Sequence, residues 1–313
     1  MRRRWTANKH NYSHLELFAG SGGFGIGANE NGFGTIYACD WEENSEQFYK
    51  NNFPEVPFDC TDVRNISLER INEVRTLRGL PELLRGELDV LSGGSPCVKL
   101  SPSNTVDARD FAEENMLMIE TLPKLVKDLQ PKIAVFENSD RLLSKDRAPL
   151  LMEYMASIQN LLPNYYFDIR VLNAKRYGAF QNRSRAIVIL VRKDVLGDRN
   201  IPFFPTPEPI NLSVQGVSSL MPWVKEFSPG QFGDKFKPAD GNVFCTITAS
   251  TCQKVKYADG VPRKISILET KIVSGMTKYD YTGICDTEVY RLLGNMIMPQ
   301  LTNRLFKNFL NIL

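Results

Sequence analysis

The sequence predicts an α/β protein: a doubly wound sheet with a small, mostly β or irregular lobe inserted late in the chain. Three observations predict it. Short apolar runs alternate with amphipathic segments through the first half, a glycine cluster separates the first run from the first helical segment, and from about residue 195 the helical period is lost.

The elements follow in order. "SHLELFAG" is an apolar, β-capable run stopping at glycines, and "FGIGANENG" starts a helix that ends at Gly32. "GTIYACD" reads as a buried strand, "WEENSEQFYKNNF" as an amphipathic helix and "FDCTDV" as a third strand or its end. "LDVLSGG" and "KIAVFEN" are further parallel-type strands, joined by the helix "NMLMIETLPKLVKDLQ", in which Pro123 predicts a kink. "RSRAIVILVRK" closes this unit as a strand. The chain is then rich in Pro, Gly, Ser and Phe, and "MPQLTNRLFKNFLNIL" is a helix whose apolar stripe packs back on the first unit. The expected division is 1–194, 195–280 for the lobe, and 281–313 completing the first domain. No internal repeat interrupts this order.

Composition limits the function. With 313 residues, 42% of them hydrophobic, the chain can bury one substantial core plus a lobe. Six cysteines form no CxxC pair, which favours free thiols in a reducing interior and argues against zinc. No apolar run suits a signal peptide or a membrane span, so a location in cytoplasm or nucleus is expected. A net charge of +2 leaves any nucleic-acid surface to a local patch, such as the stretch holding Arg170, Lys175, Arg176, Arg183, Arg185 and Arg192. The two histidines, His10 and His14, are read as a solvated N-terminal segment ahead of the first convincing strand. Acid–base work therefore falls to carboxylates, lysines or water.

Ligands of doubly wound sheets sit beyond the carboxyl ends of the strands, where the chemistry-bearing residues of this chain fall. Gly20-Ser21-Gly22-Gly23-Phe24-Gly25 is a GxGxxG between strand and helix, with Asp40 closing the next strand to meet ribose hydroxyls. The motif suits NAD as well as a nucleoside such as S-adenosylmethionine. Trp41 offers either a flat face for adenine or a core ring, and Asp62 an acceptor for the adenine amino group.

The Gly93-Gly94-Ser95-Pro96-Cys97 turn and Phe136-Glu137-Asn138 emerge on the same side, so a thiol and a carboxyl can face one substrate. Taken alone, a cysteine in such a turn is more often a small buried hydrophobe than a nucleophile. Gln181, Arg183 and Arg185 alternate at a strand entry, which points both arginines one way, toward a phosphate or a base carbonyl.

In this order, these segments resemble the cytosine-C5 DNA methyltransferase family. "LELFAGSGGFGIG", "CDWEENSEQFYKNNF" and "DCTDV" look like its cofactor motifs, "GGSPC" its nucleophile turn, "FENS" its ENV segment, and "NAKRYGAFQNRSRAIVI" its QxRxR region. "TITAS", "RKISILETKIVSGM" and "RLLGNMIMPQLTNRLF" look like its closing segments. The resemblance implies a Rossmann-like catalytic domain with a target-recognition lobe. It makes Cys97 the thiolate that adds to C6 of a flipped cytosine, Glu137 the acid at N3, and Asn138 a support of that loop. Arg185 would contact the cytosine and Arg183 nearby groups, with Gln181, Ser101 and Ser103 also at the substrate. Phe18, Ala19, Gly20, Ser21, Gly22, Gly23, Asp40, Trp41, Asp62, Val63, Pro96, Asn295 and Ile297 would line the site of S-adenosylmethionine, which leaves as S-adenosylhomocysteine. No metal is implied. Double-stranded DNA is the implied partner, bound by a monomer, either beside a cognate restriction endonuclease in a restriction-modification system or as an orphan enzyme.

Departures from the family pattern are Ser95, Val98, Ser139, Phe180, Leu268 and the "GNMIMP" segment. The rival readings are a tRNA cytosine-C5 methyltransferase and a catalytically silent DNA-binding relative. A nicotinamide enzyme leaves the Ser-Pro-Cys, Phe-Glu-Asn and QxRxR turns without a role.

Overall fold

The computed structural model describes residues 10–95, 116–230, 235–250 and 252–313. Its main layer is a seven-stranded sheet. The first five strands in chain order are β1 (Tyr12–Leu17), β2 (Phe33–Asp40), β3 (Phe58–Cys60), β4 (Val90–Gly94) and β5 (Ile133–Ser139). Three helices interleave with the first four: α1 (Gly23–Glu30), α2 (Glu43–Asn52) and α3 (Leu68–Thr76). Then α4 (Leu122–Leu129) precedes β5, and α5 (Ala148–Leu161) leads to β6 (Tyr165–Asn173), β7 (Gln181–Asn182) and β8 (Ser184–Arg192). The spatial order is β3-β2-β1-β4-β5-β8-β6, parallel except that β8 runs antiparallel to both β5 and β6.

Order reverses between β1 and β4, and in open α/β sheets the crevice opens at that point. The register brings Leu17 beside both Cys39 and Gly93, Gly94 beside Glu137, and Ser139 beside Arg185. The glycine turn, Asp40, Glu137 and the entry to β8 thus share one edge.

Both faces of the sheet are covered, which is why its central strands are apolar on both sides. Along β5, Ala134 and Phe136 join the layer of Leu122, Val126 and Tyr154, while Ile133 and Val135 face Leu305, Phe306 and Phe309. The latter belong to α8 (Pro299–Phe309), the expected returning helix. It crosses α1 closely: the Thr302 hydroxyl donates to the Gly23 carbonyl at 2.7 Å, and a Cβ on Gly27 would lie 2.3 Å from that hydroxyl.

The lobe has its own four-stranded antiparallel sheet, in the order β10 (Lys237–Pro238), β9 (Glu226–Ser228), β12 (Lys254–Lys256), β13 (Pro262–Lys264). β11 (Phe244–Cys245) pairs with β7 instead and ties the lobe to the main layer. The lobe core is Val217, Phe227, Phe244, Ile247, Val255 and Ile265, closed by Val273 of α6 (Ile267–Ser274). Leu196 and Phe204, in the segment expected to open the lobe, bury with Leu305 and Phe306 on the main sheet. A further helix, α7 (Asp286–Asn295), precedes α8.

Three local features differ from the expectations. His14 lies within β1, fully buried, its ring nitrogens 3.0 Å from Thr35 Oγ1 and 2.7 Å from Ser92 Oγ, with its edge against Phe306. Burial pushes its pKa down to about 3, so the imidazole stays neutral; a solvated terminus is the wrong description of it. β6 has no counterpart among the expected strands because it is an edge strand, mostly half-buried or exposed, without a clear apolar alternation. Before Pro123 the helix opens into a π-helical turn, Leu117–Thr121, where proline's missing N–H breaks the regular ladder. Among the described residues, no helix is long and apolar enough to cross a membrane.

Candidate active site

The turn after β1 is built for close approach. Phe18 (φ 51°), Gly20 (φ 50°) and Gly22 (φ 69°) take left-handed backbone conformations. Ala19 N–H donates to the Cys39 carbonyl at 3.0 Å, and Gly22 N–H to that of Ala19 at 2.7 Å, folding the loop over the ends of β1 and β2. The Phe18 ring lies over Gly93, whose Cβ position is 3.4 Å from Phe18 Cδ2. Ser21 is buried beneath this turn. Ile297 closes it from the C-terminal segment, with its carbonyl 2.5 Å from where a Cβ on Gly23 would stand.

Glu16 holds the turn from below. Its buried carboxylate accepts from the N–H groups of Phe24 and Gly25, at 3.0 and 2.9 Å, and from the Tyr49 hydroxyl at 2.5 Å. Burial raises its pKa to about 7 against the pull of these three donors. An internal carboxylate therefore occupies the first N–H groups of α1, where a dinucleotide fold would seat a pyrophosphate. That arrangement suits a ligand whose contact with the glycine turn carries no phosphate.

Asp40 ends β2. It accepts from Gly20 N–H through Oδ2 at 2.9 Å and from Glu42 N–H through Oδ1 at 3.1 Å, and a carboxylate has up to about four acceptor sites, so it can also take a ribose hydroxyl. Burial raises its pKa, opposed by those two N–H donors. Trp41 follows, 67% exposed, so its ring is not a core ring. The N–H of Thr61 donates to the Asp40 carbonyl at 3.0 Å, which sets Asp62 and the buried Val63 beside them.

Across the switch point, Glu137 is buried at the end of β5 and pairs with Arg185 of β8, Oε1 to Nε at 2.6 Å. Burial pushes the carboxyl pKa up, opposed by the charges of Arg185 and Arg183. Gly94 makes room for it, since a Cβ there would stand 3.0 Å from Glu137 Oε2. Asn138 donates to Ser95 Oγ at 2.9 Å and accepts from Ser139 N–H at 2.7 Å, which anchors the start of the turn toward residue 97. Cys97, Pro96, Ser101 and Ser103 lie outside the described residues.

Two expected substrate contacts, Arg183 and Gln181, bridge separate elements of the fold. Arg183 is buried, and its guanidinium donates to the carbonyls of Ile247, at 2.8 Å, and Gly294, at 2.9 Å. Gln181 accepts from Ile247 N–H and donates to the Val273 carbonyl and Ser274 Oγ. Alternation along the strand predicts that both arginines point one way; in the structure Arg183, with Gln181, contacts the lobe at Ile247 and, for Arg183, α7, while Arg185 meets Glu137. Asn295, at the exposed end of α7, offers its carbonyl to the same guanidinium at 3.5 Å.

Glu16 and Tyr49 are not singled out by the sequence, because the run around Glu16 reads as a strand and Tyr49 fits the apolar face of an amphipathic helix. The available signal is an acid inside a buried strand, immediately before the glycine turn. Among the described residues, no group of three or more His, Cys, Asp or Glu side chains is placed to hold a metal ion.

A glycine turn and an acid–aromatic pair at the carboxyl edge of this seven-stranded sheet define a Rossmann-like fold of the class I methyltransferase type. The chain belongs to the C-5 cytosine-specific DNA methylase family, whose model matches residues 12–229. It is 30% identical over 193 residues to the type II methyltransferase M.XorII of Xanthomonas oryzae, covering 62% of this chain and 42% of that protein. It is 28% identical over 208 residues to M.HhaI of Haemophilus parahaemolyticus, covering 66% and 56%. The chain thus spans about half the length of these curated relatives. Among solved structures, a prophage-encoded protein of Escherichia coli, described as a DNA modification methyltransferase, superposes with a TM-score of 0.67 at 18% identity, over 96% of this chain and 99% of that one. DNMT2 of Spodoptera frugiperda superposes with a TM-score of 0.66 at 16% identity, over 96% and 100%.

Proposed function

We propose that the chain is a DNA (cytosine-5-)-methyltransferase that uses S-adenosylmethionine. The observation that carries this reading is the buried Glu137–Arg185 pair at the switch-point edge, beside the turn that leads to Cys97 and across from the cofactor turn. A carboxyl whose pKa is raised by burial suits proton donation to a ring nitrogen, and the paired guanidinium suits a base carbonyl. When bound, S-adenosylmethionine supplies the electrophilic methyl group and leaves as S-adenosylhomocysteine. Asp40 and Trp41 would take its ribose and adenine.

In the proposed reaction the Cys97 thiolate adds to C6 of a flipped cytosine while Glu137 protonates or hydrogen-bonds N3, and electron density moves to C5. After methylation of C5 a base removes the C5 proton, the C6–S bond breaks, and the thiolate returns. Arg183 and Gln181 serve this reaction by holding the lobe hinge, and Asn138 by holding the nucleophile turn.

A duplex carrying 5-fluorocytosine at the target site, with cofactor present, is expected to form a covalent adduct, because fluorine does not leave as a proton does. Cys97→Ala should abolish both the adduct and methyl transfer while keeping cofactor binding; undiminished turnover in that variant would overturn the mechanism. Labelled methyl transfer offered duplex DNA and tRNA in parallel distinguishes the DNA enzyme from a tRNA enzyme of the same chemistry. Transfer to neither, with cofactor bound, would point to a silent DNA-binding relative.

A further inference from the structure

Asp62 begins the turn after β3, beside Asp40 and Trp41, and its carboxylate is gripped by a residue two positions on. Arg64 donates from its main-chain N–H to Oδ1 at 2.8 Å, from Nε to Oδ1 at 2.9 Å, and from Nη2 to Oδ2 at 2.6 Å. The Arg64 side chain is 54% exposed, and a surface pair of this kind contributes little to folding. Its effect is geometric: the planar fork fixes the plane of the carboxylate, and Oδ2, with a single donor among the described residues, keeps a lone pair for another. The same contacts hold the Asp62 carboxyl below the usual carboxylate range, with the Arg64 side chain as the main cause.

We propose that Arg64 is a positioning residue of the cofactor site, which orients the Asp62 carboxylate to accept the exocyclic amino group of adenine and so favours adenine over a 6-oxo purine. A carboxylate locked in that orientation only accepts, and the 6-oxo group offers it another acceptor. The inference rests on the S-adenosylmethionine reading above and adds Arg64 to it.

Calorimetric binding of S-adenosylhomocysteine, and of its 6-oxo analogue S-inosylhomocysteine, to the full chain tests the proposal. Arg64→Ala should weaken the adenosyl compound about fivefold, the upper range for an exposed pair, and leave the inosyl compound unchanged. Arg64→Lys should recover part of the loss, because an ammonium lacks the fork. In an Asp62→Ala background, Arg64→Ala should have no further effect. Equal or tighter adenosyl binding by Arg64→Ala, or equal weakening of both compounds, would overturn the proposal. A wild-type chain that binds neither compound would overturn the cofactor reading itself, a result distinct from any change between variants.

Discussion

Glu137 and Arg185 meet across two adjacent antiparallel strands, Oε1 to Nε at 2.6 Å, both side chains largely withdrawn from water. The pairing holds a buried carboxyl at the sheet edge against a guanidinium. Burial raises its pKa and Arg185 opposes the rise, so its protonation is set by a balance that mutation can tip.

Two outcomes follow for the proposed reaction. Glu137→Gln should cut methyl transfer about a hundredfold or more, the range for losing a positioned acid, while cofactor affinity is retained. Because the acid acts protonated, transfer should fall as pH rises through its raised pKa. Arg185→Met removes the charge that holds that pKa down, so the alkaline limb of the residual activity should move to higher pH. A pH profile of single-turnover transfer reads both; an alkaline limb unmoved in Arg185→Met would separate Glu137 from the step.

Arg183 should behave as a hinge pin. Arg183→Met leaves the carbonyls of Ile247 and Gly294 without their donor in a buried setting, a loss of about 3 kcal/mol in stability. Arg183→Lys should rescue little, since one ammonium does not reproduce two diverging donors. Chemical denaturation measures this, and a Met variant as stable as the parent would contradict the assignment.

His14 and Glu16 predict opposing pH dependences of stability. The folded pKa of His14 is depressed to about 3, so unfolding takes up a proton below its ordinary 6.5, and stability is lost as pH falls from about 6.5. Glu16, raised to about 7 from 4.5, releases a proton on unfolding between those values, so its contribution falls as pH rises. Each acts with a slope of up to about 1.4 kcal/mol per pH unit. His14→Gln should therefore make stability fall with rising pH between 4.5 and 6.5, relative to the parent, in denaturation series across that window.

Gly27→Ala tests the contact between α1 and α8. The added Cβ would lie 2.3 Å from Thr302 Oγ1 and 2.6 Å from the Asn303 main-chain nitrogen, and a backbone atom does not yield. A loss of about 3 kcal/mol is expected from such overpacking. Gly32→Ala meets nothing within 4 Å and is strained only by its φ of 82°, so about 1 kcal/mol is expected. Thermal melts that rank the two variants the other way would show that the helices separate without cost.

Much of the site is legible in the order of residues alone. Glycines before a helix, an acid and a tryptophan ending the next strand, and a carboxylate at the end of a buried strand are local patterns whose spacing follows strand and helix geometry. Glu16 is not legible in this way, because its partners Phe24, Gly25 and Tyr49 become neighbours only when α1 and α2 fold back over β1. β6 is hidden because an edge strand need not be apolar on both faces.

By itself, then, the sequence determined the alternation of strands and helices, the carboxyl edge and the chemical types gathered there, since these follow from periodicities of two and about 3.6 residues and from the backbone freedom of glycine. Only the tertiary structure decided which neighbours each polar side chain meets. Arg183 and Arg185 differ by two residues in a strand entry, yet one is consumed by the carbonyls of Ile247 and Gly294 and the other faces Glu137. Their partners are distant in sequence, and the cost of leaving a buried charge unpaired makes those long-range contacts, not the local pattern, select each role.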